Sequence, residues 1–247
     1  MLKMMQELDY VLVPLGLGLM VAYHAWLLRR ILKHPMKTVV GVNAINRRIW
    51  VHTMMQDPSK TGVLAVQSLR NNIMASTLLA TMAITLSSVI AIIMTNGGGG
   101  ASGILRHHGV VYGNKTDLAF SIKFSSILVC FLLAFLLIIQ SIRYYSHASI
   151  LINVPINKAS SAWGTAHLTT EHVEKVLNRG GYFWSLGLRA FYFSLPLFMW
   201  MFGPIPMVLC CLVLVVMLYF LDVSFDKVMS GGDGKVGDNE VGLVVQV

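Results

Sequence analysis

Ile73–Met94 reads IMASTLLATMAITLSSVIAIIM, an apolar run without one charged side chain. The hydrocarbon core of a bilayer is about 30 Å thick and takes roughly 20 helical residues to cross. Three more stretches meet that requirement. They are Tyr10–Leu28 (YVLVPLGLGLMVAYHAWLL), Phe124–Ile142 (FSSILVCFLLAFLLIIQSI) and Phe191–Leu221, the last apolar apart from scattered Ser, Gly and Pro. In lipid every backbone amide must be paired inside its own segment, so helices are the expected spanning form. The predicted fold is all-α: a polytopic membrane protein with four transmembrane helices, about 10–30, 71–95, 120–143 and 191–221, and a cytosolic helical layer.

Composition and charge agree. The chain has 247 residues, of which 55% are hydrophobic and only 12% charged, too few to cover a soluble globule of that size. Lys and Arg outnumber Asp and Glu by 19 to 11. In a soluble protein that excess would suggest nucleic acid; here topology accounts for it, because Lys and Arg concentrate in cytosolic loops. The Arg29–Arg70 segment holds Arg29, Arg30, Lys33, Lys37, Arg47, Arg48, Lys60 and Arg70 against the single acid Asp57. Arg143, Lys158, Lys175, Arg179 and Arg189 mark a second basic segment, whereas the loop between spans two and three has only Arg106 and Lys115. Both basic segments are therefore expected in the cytosol and the N-terminus outside. The first span runs straight into Arg29-Arg30 and lacks a small-residue cleavage site, so it reads as a signal anchor.

Between the spans, Lys33-His34-Pro35 predicts a helix stop, since a residue before proline avoids the α region. Gly41–Gln56 reads as a modestly amphipathic helix, with Val42, Ile45, Ile49 and Trp50 on one side and Arg47 and Arg48 toward the other. It could lie in the membrane interface or pack on neighbouring helices. Asp57-Pro58 is a strong helix start, and the helix it opens is expected to run to Thr95. At 1.5 Å per residue that is about 57 Å, so its first half must project into the cytosol. Gly97–Gly103 (GGGGASG) reads as a linker, followed by a formal sequon at Asn114. A short helix is expected from Thr169 or Thr170 to Arg179, closing before Gly180-Gly181 as a cytosolic cap. Gly203-Pro204-Ile205-Pro206 interrupts the last apolar region. It is read as one kinked span over 191–221, with a hairpin and five spans as the alternative. Residues 1–222 form one membrane-embedded domain; 223–247 is expected to be a disordered, Gly-rich, acidic tail.

Several motifs resemble a known family. Tyr23-His24-Ala25-Trp26-Leu27-Leu28-Arg29, Gly41-Val42-Asn43-Ala44 and Arg47-Arg48-Ile49-Trp50-Val51 are among them, as are Val63–Thr81 (VLAVQSLRNNIMASTLLAT) and Phe202-Gly203-Pro204-Ile205-Pro206. They resemble the plant domain of unknown function family 599, whose members are multi-pass membrane proteins without an established activity. The likeness covers roughly Asp9 to Asp222. It implies the topology and a plant source, and carries over no catalytic or ligand residue.

No chemistry-bearing motif points to an enzyme. The eight histidines are scattered, and the chain has no Gly-x-Ser-x-Gly, phosphate-binding loop or dinucleotide fingerprint. Cys130, Cys210 and Cys211 sit in apolar spans, where lone thiols behave as small apolar residues. No catalytic residue, metal site or cofactor is expected. Two constellations remain. Thr77, Thr81, Thr85 and Ser88 form a hydroxyl stripe, a candidate polar path, beside a stripe of Ser76, Ala80, Ala83, Ser87 and Ala91 suited to close helix packing. Arg47, Arg48, Arg70, Arg143 and Arg189 form a candidate cytosolic basic cluster, able to meet anionic lipid or to concentrate anions at a vestibule. The expected function is an oligomeric pore or transport component for small anions. The alternative is a non-transporting scaffold that binds anionic lipid or a protein partner through its basic helices. The expected partners are the lipid bilayer and, as a homo-oligomer, further copies of this chain, with no nucleic acid. The expected location is the plasma membrane, with endoplasmic reticulum and vacuolar membranes as alternatives.

Overall fold

The computed structural model describes residues 2–95, 117–154 and 170–223. The Gly-rich linker, the Asn114 sequon and the tail from 224 onward lie outside the described residues. Helix α1 spans Leu2–Lys33, and a 3-10 turn at Pro35–Lys37 leads into α2, Val39–Gln56. Helices α3 (Pro58–Thr95), α4 (Asp117–Leu151), α5 (Thr170–Trp200) and α6 (Pro204–Asp222) follow. Four stretches are long and apolar enough to cross a membrane: Asp9–Lys33, Pro58–Thr95, Leu118–Leu151 and Pro204–Asp222. This is an all-α polytopic membrane protein.

The helix boundaries follow from local chemistry. α1 stops at His34, ahead of Pro35. Thr38 caps α2 by accepting a hydrogen bond from the Gly41 amide at 3.3 Å. α3 opens on Pro58, and Asp57 just before it gathers the Ser59 hydroxyl and the Lys60 ammonium, the latter at 3.0 Å. Those two hydrogen bonds hold the Asp57 carboxyl below the ordinary carboxylate value.

Helices α3, α4 and α5 pack side by side through small residues. Ser76, Ala80, Ala83 and Ser87 are buried along one face of α3, the stripe the sequence marks for close contact, while Ala91 is half-buried. Ala83, Ala134 and Ala190 meet in one cluster where the three helices converge. Nearby, a Cβ on Gly187 would stand 2.5 Å from Ile138 Cγ1, so α5 approaches α4 more closely than any side chain would allow. A larger core joins α1, α4, α5 and α6 around Met20, Ile127, Leu197, Met207 and Cys211. The helical layer has its own core, formed by Val51 and Met55 of α2, Leu69 of α3, Ile152 beyond α4 and Val173 and Leu177 of α5.

Three expectations differ from the structure. Gly180-Gly181 does not close a short helix, because α5 continues through it to Trp200. The glycines serve contact: a Cβ on Gly180 would meet the Tyr145 ring at 3.0 Å, one on Gly181 the Arg47 guanidinium at 2.6 Å, and the Ser141 hydroxyl donates to the Gly180 carbonyl at 2.8 Å. Residues 191–221 do not form one kinked helix. Gly203 adopts φ 154°, a conformation open to glycine and strained for other residues, and Pro204 cannot continue the preceding ladder. The chain doubles back there, so 191–200 belongs to α5 and the last span is α6 alone. In α2 the buried face is Gly41, Ala44, Val51 and Met55; Ile49 is 59% exposed, and Arg47 and Arg48 turn toward α5 instead of away from the protein.

The packing makes a paired prediction. Ala83→Leu should overpack the three-helix contact and cost about 1–3 kcal/mol, read as a lower thermal midpoint in detergent. Thr81→Leu, on the exposed face, should stay within about 0.5 kcal/mol. Equal effects of the two changes would contradict the arrangement.

Candidate functional site

The residues at the basic end of the bundle define the best-formed polar site. Asp222 terminates α6, and Arg189 lies on the facing arm, α5. The guanidinium donates twice to the carboxylate, Nη2 to Oδ1 at 2.6 Å and Nη1 to Oδ2 at 3.1 Å. This two-pronged geometry suits the planar fork of arginine. Their side chains are only 14% and 10% exposed. Tyr23 of α1 donates its hydroxyl to Asp222 Oδ2 at 2.7 Å, so one carboxylate gathers three helices. His24 donates Nδ1–H to the Met20 carbonyl at 2.7 Å and rests near the Phe193 ring. Arg30 sits 5.1 Å over the Trp26 ring. A lone antiparallel bridge pairs Thr38 with Val223, tying the α1–α2 corner to the end of α6.

Beside this latch opens a groove of about 440 Å³, within the size range of small-molecule sites. Leu28, Ile31 and Leu32 of α1, Val40 of α2, and Phe183 and Leu186 of α5 form its apolar walls. Tyr144 of α4 stacks on Phe183 with ring centroids 5.5 Å apart. Arg179, Ser185 and Arg189 supply its polar groups, and Arg179 is exposed.

A second polar set joins α2 to α5. Arg47 Nε donates to Asn178 Oδ1 at 2.8 Å, and burial pulls its guanidinium below the ordinary value against the opposing influence of Tyr145 and Tyr182. Arg48 lies 3.4 Å from Glu174, and His52 lies 4.0 Å from the same carboxylate. Burial raises the Glu174 carboxyl above its ordinary value, although Arg48 and His52 act the other way.

The predicted site residues are therefore dispersed. Of the basic cluster, Arg47, Arg48 and Arg189 are engaged with α5 or α6, while Arg70 and Arg143 are exposed. Thr77, Thr81, Thr85 and Ser88 all lie on the exposed face of α3. Thr77, Thr81 and Ser88 return their hydroxyls to carbonyls one turn back, on Ile73, Thr77 and Ile84. Among the described residues they line no interior path. Sequence reading missed Asp222 and Tyr23; the available signal was one acid ending an apolar span opposite an arginine in the other arm. Among the described residues no group of three or more His, Cys, Asp or Glu side chains could hold a metal ion.

Fold and site together define a polytopic membrane protein with an ion-paired helical latch and an adjoining apolar groove. The chain matches the family described as "Protein of unknown function, DUF599" over residues 11–227, and it belongs to that family. No curated protein and no solved structure matches it.

Two predictions follow from the pairs. Asp222→Leu or Arg189→Leu alone leaves a buried charge without its partner and should cost about 3–5 kcal/mol, whereas the double change should recover most of that loss; additive losses in thermal unfolding would contradict the latch. For Glu174 the folded pKa lies above the unfolded one, so the stability it contributes is full below 4.5, its ordinary value, and is lost as pH rises through the raised value. Glu174→Gln should therefore gain stability relative to wild type as pH rises through that window. A pH-independent difference between the two proteins would show that the carboxyl is not held in this way.

Proposed function

We propose that this protein is a membrane-embedded binding scaffold, not an enzyme, whose groove at the basic end holds an anionic lipid. The observation that carries the reading is the groove itself: leucine and isoleucine walls suited to an acyl chain, with the exposed Arg179 guanidinium beside them. A cation near a membrane surface favours anionic lipid by about 1 kcal/mol. The Lys and Arg asymmetry puts this end in the cytosol, with the plasma membrane as the expected location. In this reading α5 returns through the bilayer along α4 and α6 crosses once more. That gives five passages, with Thr38 and Val223 on the same side.

A second reading is a pore or transport component for small anions. It rests on the outward hydroxyl track of Thr77, Thr81, Thr85 and Ser88, which faces its counterparts only if copies assemble around α3. Flux through liposomes separates the two. The scaffold reading expects no anion or cation conductance, together with co-purifying anionic phospholipid measured by mass spectrometry. Arg179→Gln should lower the anionic preference about fivefold, the equivalent of about 1 kcal/mol, and Leu186→Trp should displace the lipid by filling the groove. Unchanged lipid retention in both variants contradicts the scaffold reading. Conductance that changes with Thr81→Val supports the pore.

A further inference from the structure

We propose that Lys123 and Trp200 form a binding site for a compact anionic oxygen group, a carboxylate or a phosphate, at the end of the bundle away from the groove. There α1 and α4 begin and α5 ends. Lys123 stands on the second turn of α4 and is 1% exposed, the largest fully buried side chain among the described residues. A lysine so placed usually extends its ammonium to water; this one does not. Its Nζ lies 5.2 Å from the centroid of the Trp200 ring, and among the described residues it has no hydrogen-bond partner. The ring face can offset part of the ammonium's lost hydration, yet it fills none of its three N–H donors. The indole Nε1–H of Trp200 is also buried without a partner. Buried donors left this way are costly and rare in native proteins.

The two groups share one chemistry. Both are donors only, so the site suits an acceptor and repels a metal cation. Nζ stands 5.2 Å from the centroid of the ring that carries Nε1, so the two donors belong to neighbouring side chains, and one carboxylate or phosphate accepting through two oxygens, each at about 3 Å, is the group that would serve both. Asp9 of α1 acts on Lys123 electrostatically and moderates the positive charge, which favours a singly charged group over a highly charged one. Charge-assisted hydrogen bonds of this kind are about twice as strong as neutral ones. The ligand can come from solution or from a lipid headgroup, and the chemistry is the same for both.

The test uses the full chain in neutral detergent and follows its thermal midpoint. One arm titrates sodium acetate and sodium phosphate at constant ionic strength. The other adds phosphatidylcholine vesicles with and without phosphatidic acid. The expected result is a saturable rise in midpoint in one arm, which names the source. The apparent affinity should fall at least about tenfold in Lys123→Met and in Trp200→Phe, since a hydrogen bond to a charged group contributes about 1.5–3 kcal/mol. Trp200→Phe keeps the aromatic face and removes only the N–H, so it remains informative if Lys123→Met fails to fold. No saturable response in either arm, or a wild-type response from Trp200→Phe, overturns the proposal and leaves water as the acceptor.

Discussion

A guanidinium inside a helical membrane bundle must find a partner that offsets its lost hydration, and the arrangement of this protein depends on that constraint at Arg189, where the partner is the Asp222 carboxylate. Without Asp222, α5 would carry a charge into the bundle at a cost of several kcal/mol. With it, the two arms of the hairpin turning at Gly203 are held together at their far end. Tyr23 extends the same carboxylate to α1, and the Thr38–Val223 bridge closes the corner beside it. The groove is a consequence: Leu28, Ile31 and Leu32 stand on the α1 segment that Tyr23 anchors, opposite the α5 segment that Arg189 anchors. A ligand entering there would contact two helices whose separation is set by one ion pair.

Much of the architecture was legible because it follows from length and punctuation. Asp57-Pro58 and the absence of a strong breaker define α3 as Pro58–Thr95, as observed. The small-residue stripe was legible because only small side chains let helices meet closely, and Ser76, Ala80, Ala83 and Ser87 are indeed buried. The hydroxyl stripe beside it has the same periodicity and the opposite placement. A threonine can satisfy its hydroxyl on its own helix, as Thr77 and Thr81 do, so polarity alone does not say which face turns inward. Gly180-Gly181 misled for a related reason: glycine ends helices, and it also lets them touch. Which of the two occurs depends on Tyr145 and Arg47, residues far away in the chain.

The candidate site was less legible than the fold. A topology rule accounts for the arginines of the two basic segments without saying what each one touches. Arg47, Arg48 and Arg189 look alike in sequence, yet they bind Asn178, Glu174 and Asp222. These partners lie on α5 and α6, far away in the chain; docking of α2 on α5 brings the first two to their arginines, and the turn at Gly203 brings the third. Lys123 was hidden for the same reason, since a lysine opening an apolar span resembles an interfacial anchor until Trp200 covers it. Charge count predicts sidedness; pairing fixes structure.

The central claim is that α5 and α6 form a closed hairpin returning the chain to the basic end. The most direct measurement replaces Cys130, Cys210 and Cys211 with alanine, introduces single cysteines by Thr53→Cys on α2 or Ser224→Cys beyond α6, and labels intact and permeabilised cells with a membrane-impermeant thiol reagent. The account predicts that both positions label only after permeabilisation, on the same side of the membrane. Labelling of position 224 from outside, with position 53 protected, would mean that 191–221 crosses once and would contradict the hairpin.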